Sequence, residues 1–157
     1  MNVWYVNSIL GIFRLEEEND AICGLTLCPD GVPELEPLPR KVCETPLLQE
    51  AEEQLNEYFA GARREFDLPL APKGTPFQKA VWAEMCRIPY GETRTYGQLA
   101  AAVGKPKASR AVGGACHCNP IAILQPCHRV VGSTGKLTGY AYGVEMKQYL
   151  LELEQQE

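Results

Sequence analysis

The chain has 157 residues, a formal net charge of -5, 45% apolar and 22% charged residues. That length suits one domain or a pair of small ones, burying roughly 68 to 70% of the unfolded surface as a single unit, and the composition excludes a disordered, collagen-like or coiled-coil chain. No run nears the ~18 uncharged apolar residues of a membrane span, the opening MNVWYVNSILGIF has no basic residue ahead of its apolar stretch, and the seven cysteines are irregularly spaced and odd in number. The expectation is a soluble intracellular protein with at least one free thiol.

Ile9 to Leu15 and Ala21 to Leu27 read as short strands around a polar turn, Glu16 to Asp20, with another turn at Pro29-Asp30-Gly31. Thr45 reads as the N-cap of a helix with Pro46 at its first position; Leu48, Ala51, Leu55 and Phe59 share one face, and Gly61 stops it. This part is a small α+β layer pair. The run from Leu68 to Pro76 holds three prolines and Gly74, which forbid a continuous helix or a central strand, so the boundary between domains 1–73 and 74–157 falls there.

Beyond it, Thr75-Pro76-Phe77-Gln78 is a capping box, and Phe77, Val81, Met85 and Ile88 form a stripe ended by Pro89. Thr95-Tyr96-Gly97-Gln98 repeats the box and starts a short helix through Leu99, Ala100 and Val103 to Gly104. A third helix runs from Ala108 to His117 and stops before Asn119-Pro120. Two short helices around Gly104-Lys105-Pro106 have the dimensions of a helix-turn-helix. The third is nearly without bulk: Ala108, Ser109, Ala111, Gly113, Gly114 and Ala115. Its two glycines each weaken it by ~1 kcal/mol relative to alanine, so a close approach must benefit, either of a neighbouring helix or of a nucleic-acid backbone. Arg110 beside Lys105 and Lys107 favours the second.

Charge is distributed accordingly. Residues 1–73 hold 6 Lys/Arg against 14 Asp/Glu, whereas residues 74–157 hold 9 against 6. Residues 93–144 carry Arg94, Lys105, Lys107, Arg110, Arg129 and Lys136 and no acid at all: a footprint suited to phosphate, or a basic face balancing an acidic half.

Ile121 to Leu124 reads as a short buried strand leading into Pro126-Cys127-His128-Arg129-Val130-Val131-Gly132. A neighbouring imidazole or cation lowers a thiol's pKa towards neutrality, which makes Cys127 the best nucleophile candidate. Adjacent residues of an extended strand point to opposite faces, however, so a merely buried cysteine is an equal reading. A third is zinc held by Cys116, Cys118, Cys127 and His128, although their spacing lacks the usual knuckle. In the last helix, from Val144, a stripe of Met146, Tyr149, Leu150 and Leu153 is continued by Glu154. An acid there is disfavoured by the helix dipole, so either a buried partner such as imidazole holds it or the end frays with Glu152, Glu154 and Glu157 in water.

Together Thr75 to Gln78, Thr95 to Ala100, Arg110-Ala111-Val112-Gly113, Asn119-Pro120, Pro126 to Val130, Leu137-Thr138-Gly139-Tyr140 and Lys147 with Leu150 to Glu154 resemble the O6-alkylguanine-DNA alkyltransferases, or methylated-DNA-protein-cysteine methyltransferases. The likeness runs nearly end to end and implies an α+β fold: a small N-terminal ribonuclease H-like sheet-and-helix domain, then a mainly helical, winged-helix-like domain with a helix-turn-helix. It implies single-turnover DNA repair without cofactor or metal by a monomer, on duplex DNA carrying O6-alkylguanine or, less readily, O4-alkylthymine. The location implied is the cytoplasm, with the nucleoid in a prokaryote, or the nucleus in a eukaryote.

Carried over by motif, Cys127 is the alkyl acceptor, His128 its base, Glu154 the group orienting His128, Tyr96 a proton donor to the base, and Asn119 the tie between recognition helix and active-site turn. Arg110 fills the space left by the flipped base; Gln78, Thr95, Tyr96, Gly97, Lys105 and Ser133 lie near DNA; Val130, Tyr140, Ala141 and Tyr142 line the base pocket. Two residues depart from the family pattern: His117 stands where arginine is frequent, implying a weaker or pH-dependent phosphate contact, and Tyr142 where glycine is frequent, implying a narrower pocket that prefers methyl over benzyl adducts. The rival readings are a non-enzymatic lesion sensor, whose family members lack the cysteine, and a helix-turn-helix regulator.

Overall fold

The computed structural model describes residues 1–137 and 140–156; Thr138, Gly139 and Glu157, which figured in the motifs above, lie outside the described residues. Two compact units are present, Met1–Pro72 and Lys73–Glu157. Among the described residues no helix is long and apolar enough to cross a membrane.

In the first unit, β1 (Asn2–Ser8), β2 (Gly11–Glu18) and β3 (Ala21–Cys28) form an antiparallel meander, and β4 (Lys41–Val42) adds parallel to β1, giving the order β3-β2-β1-β4. The expected strand Ile9 to Leu15 is corrected: Ile9 and Leu10 make the hairpin turn, where the Ser8 hydroxyl accepts from Leu10 N and donates to Gly11 O. The second turn is only Asn19-Asp20, both at positive φ as a two-residue primed hairpin requires. Glu16 to Glu18 therefore belong to β2. Their acidity disguised the strand, yet Glu17 is buried and satisfied, accepting from Asn2 Nδ2 at 3.1 Å and from the Thr45 hydroxyl at 3.0 Å. Thr45 caps α1 (Pro46–Phe59), which lays Leu48, Ala51, Leu55 and Tyr58 against Val3, Val6, Phe13 and Leu15 of the sheet. Phe59, expected on that face, is half-buried, with its ring 6.3 Å from Phe13.

In the second unit, both capping boxes form: Thr75 with Gln78 starts α2 (Pro76–Met85), and Thr95 with Gln98 starts α3 (Tyr96–Ala102). After the turn at Gly104 comes α4 (Ser109–His117), and α5 (Val144–Leu153) closes the chain. Val81, Met85 and Ile88 are buried as the stripe requires, with Trp82 beside them, its indole donating to Ala115 O at 2.8 Å and so tying α4 to α2. Phe77 is only half-buried, with Lys105 Nζ 5.2 Å from its ring centroid. On α5, Tyr149 is half-buried, and Lys147 takes a core position that the apolar stripe did not assign.

Ile121 to Leu124 are buried but are not a strand. Leu124 N bonds Ala122 O and Gln125 N bonds Ile121 O, forming tight turns in which Ile123 has φ +69°, a conformation costing a β-branched residue about 1–3 kcal/mol. A short apolar run does not distinguish buried strand from buried turn. The chain then makes one 3-10 turn, Cys127–Arg129, before β6 (Val130–Val131) pairs in parallel with β5 (Arg94–Thr95).

Candidate active site

The turn after α4 is organised by Asn119, whose side chain uses both donors and its acceptor. Its Oδ1 accepts from Ile121 N at 3.1 Å and Gln125 Nε2 at 2.7 Å; its Nδ2 donates to Gln125 O at 2.8 Å and to Cys127 Sγ at 3.2 Å. Cys127 is buried, its own N–H bonding Gln125 O at 2.8 Å. Burial pushes the thiol up; the Asn119 hydrogen bond and the Lys147 charge draw it partly back. The resting sulfur is thus a protonated thiol already provided with a donor for its anion.

Because residues 127–129 form a 3-10 turn and not an extended strand, Cys127 and His128 are not forced to opposite faces. His128 is 0% exposed, and its Nε2 lies 2.7 Å from Glu154 Oε2. Glu154 sits at the C-cap of α5, buried and not frayed. Burial alone raises a carboxyl, but hydrogen bonds and charge from His128 and Arg129 hold Glu154 down at about 2. An ionised carboxylate accepts, so Nε2 carries the proton and Nδ1 is the free lone pair of a neutral imidazole. Burial also lowers His128, with Glu154 opposing and Arg129 and Lys147 reinforcing. Among the described residues Nδ1 is buried without a hydrogen-bond partner.

Arg129 corrects the charge reading: it is not part of a phosphate footprint. It is 7% exposed, with Nε 2.8 Å from Glu154 Oε1, Nη2 3.0 Å from Oε2 and Nη1 2.7 Å from Ile88 O. Lys147, 1% exposed, holds its ammonium 5.8 Å from the Tyr96 ring centroid, and burial lowers its pKa. Tyr96 follows directly on β5, whose pairing with β6 fixes the start of α3 against Val130 and Val131. Tyr140 is buried, its hydroxyl unpartnered among the described residues and its pKa pushed well up by burial, with Cys127 and Tyr142 adding.

The outward face of α4 carries Arg110, Ala111, Gly114, His117 and Cys118, with Lys107 just ahead, all exposed. A Cβ at Gly114 would meet nothing within 4 Å, and one at Gly113 only the Tyr96 ring at 4.0 Å. Packing against a neighbouring helix therefore does not explain Gly114, whose thinness is presented outward, whereas Gly113 faces the Tyr96 ring of α3.

A model described as the DNA binding domain of 6-O-methylguanine DNA methyltransferase matches residues 76–156, and one described as its ribonuclease-like domain matches residues 3–72. The chain belongs to the 6-O-methylguanine DNA methyltransferase family. The methylated-DNA--protein-cysteine methyltransferase of Methanosarcina barkeri is 61% identical over 107 residues, 68% of each chain. The constitutive enzyme of Bacillus subtilis is 58% identical over 112 residues, 71% of this chain and 68% of that one. Mycobacterium tuberculosis OGT in complex with DNA superposes with a TM-score of 0.89 at 41% identity, covering 99% of this chain and 93% of that one.

Within this methyltransferase-family chain the structure forms two hydrogen-bonded pairs, Asn119 with Cys127 and His128 with Glu154, joined by the backbone of the Cys127–Arg129 turn. Val130 and Tyr140 are buried, Tyr142 is half-buried with its ring 5.8 Å edge-on from Tyr140, and Ala141 is exposed. Gly97, Lys105, Arg110 and Ser133 are exposed, and Gln78, Thr95 and Tyr96 are half-buried. The zinc alternative is not assembled. Among the described residues no three His, Cys, Asp or Glu side chains cluster for a metal; Cys116 Sγ instead lies 3.6 Å from Met85 Sδ, and Cys118 is exposed. Sequence reasoning missed Arg129 and Lys147 as buried members of the site. For Lys147 a signal existed: Lys147, Leu150 and Glu154 share one helix face at i, i+3 and i+7.

Proposed function

We infer that this protein repairs alkylated duplex DNA by direct reversal, transferring the alkyl group of O6-alkylguanine, and less readily of O4-alkylthymine, irreversibly to Cys127. Family membership at 61% identity supports the reaction, and the observation that carries the residue assignment is the 2.7 Å contact of His128 Nε2 with a Glu154 carboxylate held ionised. That contact leaves His128 Nδ1 as the only basic lone pair on the imidazole.

The alkylated oxygen lies inside the base stack, so the base must be swung out, which costs less for a poorly paired lesion than for normal guanine. α4 enters the minor groove with its small face, and Arg110 occupies the space the base leaves. Gln78, Thr95, Gly97, Lys105 and Ser133 contact the backbone, while Val130, Tyr140, Ala141 and Tyr142 receive the base. His128 then takes the Cys127 proton, relayed by a water, and the sulfur attacks the alkyl carbon. The carbon–O6 bond breaks with its electron pair on the guanine, which Tyr96 protonates as the charge develops. Asn119 donates to the sulfur throughout, and Lys147 lends positive charge beside it. A neutral resting thiol and imidazole explain how so reactive a group stays quiet without substrate: charge separates only when the base is in place.

The thioether formed is not cleaved by water, so each molecule acts once, as a single chain. Residues 74–157 bind DNA and accept the alkyl group, residues 1–73 support them, and the protein works where the chromosome is. Peptide mass mapping after mixing with an oligonucleotide carrying O6-methylguanine tests this reading. One added methyl on the Cys127 peptide supports it, as does a C127A variant that binds DNA without transfer. Binding with no covalent change in the wild type selects the lesion sensor or the regulator instead.

A further inference from the structure

Arg129 joins Lys147 as a buried cation of the site, although the charge count alone grouped it with the basic stretch of residues 93–144. Its environment is closed: three nitrogens in a fixed plane donate to both oxygens of Glu154 at 2.8 and 3.0 Å and to the Ile88 carbonyl at 2.7 Å, with the Tyr90 ring centroid 5.8 Å away. It holds Glu154 while His128 occupies the remaining direction of Oε2 at 2.7 Å. The carboxylate cannot rotate without breaking one arm of the fork. The same strand of contacts ties the end of α5 to residues 88–91, where the Tyr90 hydroxyl reaches Leu153 O at 3.3 Å and Gln155 Nε2 donates to Gly91 O at 2.7 Å.

We propose that Arg129 is a positioning residue of the alkyl-acceptor site, its guanidinium fork fixing the Glu154 carboxylate against His128 so that the imidazole presents Nδ1 to the thiol. The proposal rests on the reading of His128 as the base. Lysine cannot replace the fork, since a point charge cannot bridge both carboxylate oxygens while also reaching Ile88 O. The charged and titratable groups facing His128 are Glu154 and Lys147 from α5 and Cys127 and Arg129 from its own turn. Arg129 opposes a second positive charge on the imidazole, so without it the His128–Glu154 pair takes up its proton at higher pH.

The test is the single-turnover rate of methyl transfer from O6-methylguanine duplex, measured across the pH range in which histidine titrates, for wild type, R129M, R129K, E154Q and R129M/E154Q. R129M is expected to slow transfer at neutral pH by at least about tenfold, a part of the ~10²–10⁴-fold that a general base contributes, and to move the acid limb of the rate profile to higher pH. R129K is expected to fold, to lose several-fold in rate and to keep the limb near its wild-type position. The double variant should be no slower than E154Q alone. A uniform loss in R129M with the limb unmoved, a multiplicative loss in the double variant, or R129K at the wild-type rate overturns the proposal; the last decides it even if R129M does not fold. E154Q transferring at the wild-type rate removes the base reading and the proposal with it, whereas slow E154Q beside fast R129M overturns the proposal alone.

Discussion

The Asn119 amide nitrogen lies 3.2 Å from the Cys127 sulfur and 2.8 Å from the Gln125 carbonyl, while the oxygen of the same amide receives Ile121 N and Gln125 Nε2. One side chain therefore holds the turn and supplies the donor that the thiolate will need. Asn119→Ala leaves several of those buried groups unsatisfied at about 1–3 kcal/mol each, so a loss of stability on the order of 3 kcal/mol is expected in urea unfolding. Transfer also slows in whatever remains folded. A loss under about 1 kcal/mol would show that the turn holds itself.

Acid sensitivity follows from two depressed pKa values. Glu154 falls from 4.5 to about 2 on folding, so its share of stability is present above 4.5 and is lost as pH drops towards 2. His128 is buried neutral, so the unfolded chain binds its proton first, and stability declines as pH falls below the ordinary histidine value of 6.5. Both act in the same direction. E154Q should be less stable than wild type at neutral pH, and the gap should close on acidification below pH 4.5; a gap independent of pH contradicts the assignment.

Gly114 is exposed and a Cβ there touches nothing within 4 Å, so alanine should stabilise α4 by about 0.5–1 kcal/mol on helix propensity. On the proposed reading the same methyl faces the DNA. Gly114→Ala is therefore expected to raise the unfolding midpoint while weakening duplex binding several-fold in a titration at fixed salt. Stabilisation with unchanged affinity would mean that this face does not approach the groove.

Tyr142 packs edge-on to Tyr140 with centroids 5.8 Å apart, and both belong to the pocket proposed above to receive the base. Tyr142→Gly should raise the inactivation rate by O6-benzylguanine by about tenfold or more while changing the O6-methylguanine rate little, the range one lost packing contact commands. Equal effects on both substrates would remove Tyr142 from adduct selection.

What the sequence made legible is what local chemistry writes down. Thr75 and Thr95 each carry their glutamine three residues on, and both boxes form. The Pro126 to Val130 motif singles out Cys127 as the nucleophile candidate, and the 3-10 turn that carries it is visible only in the structure. The failures are residues whose fate depends on distant partners. Arg129 looks like a surface cation until Glu154, 25 residues away, closes on it; Lys147 and Glu17 look solvated until buried partners supply their hydrogen bonds or charge. β1 was missed because Val3 and Val6 are its buried residues, a spacing of three that breaks strand alternation. Ile121 to Leu124 misled for the opposite reason, since apolar β-branched residues suit a strand locally and only the demands of the Asn119 turn bend them.

The most direct measurement is the stoichiometry of methyl transfer from labelled duplex to protein. Transfer should plateau at one methyl per chain however much substrate is added, with all label on the peptide containing Cys127 and none in Cys127→Ala. Label that exceeds one per chain, that appears on another cysteine or that fails to appear on intact folded protein would contradict the account.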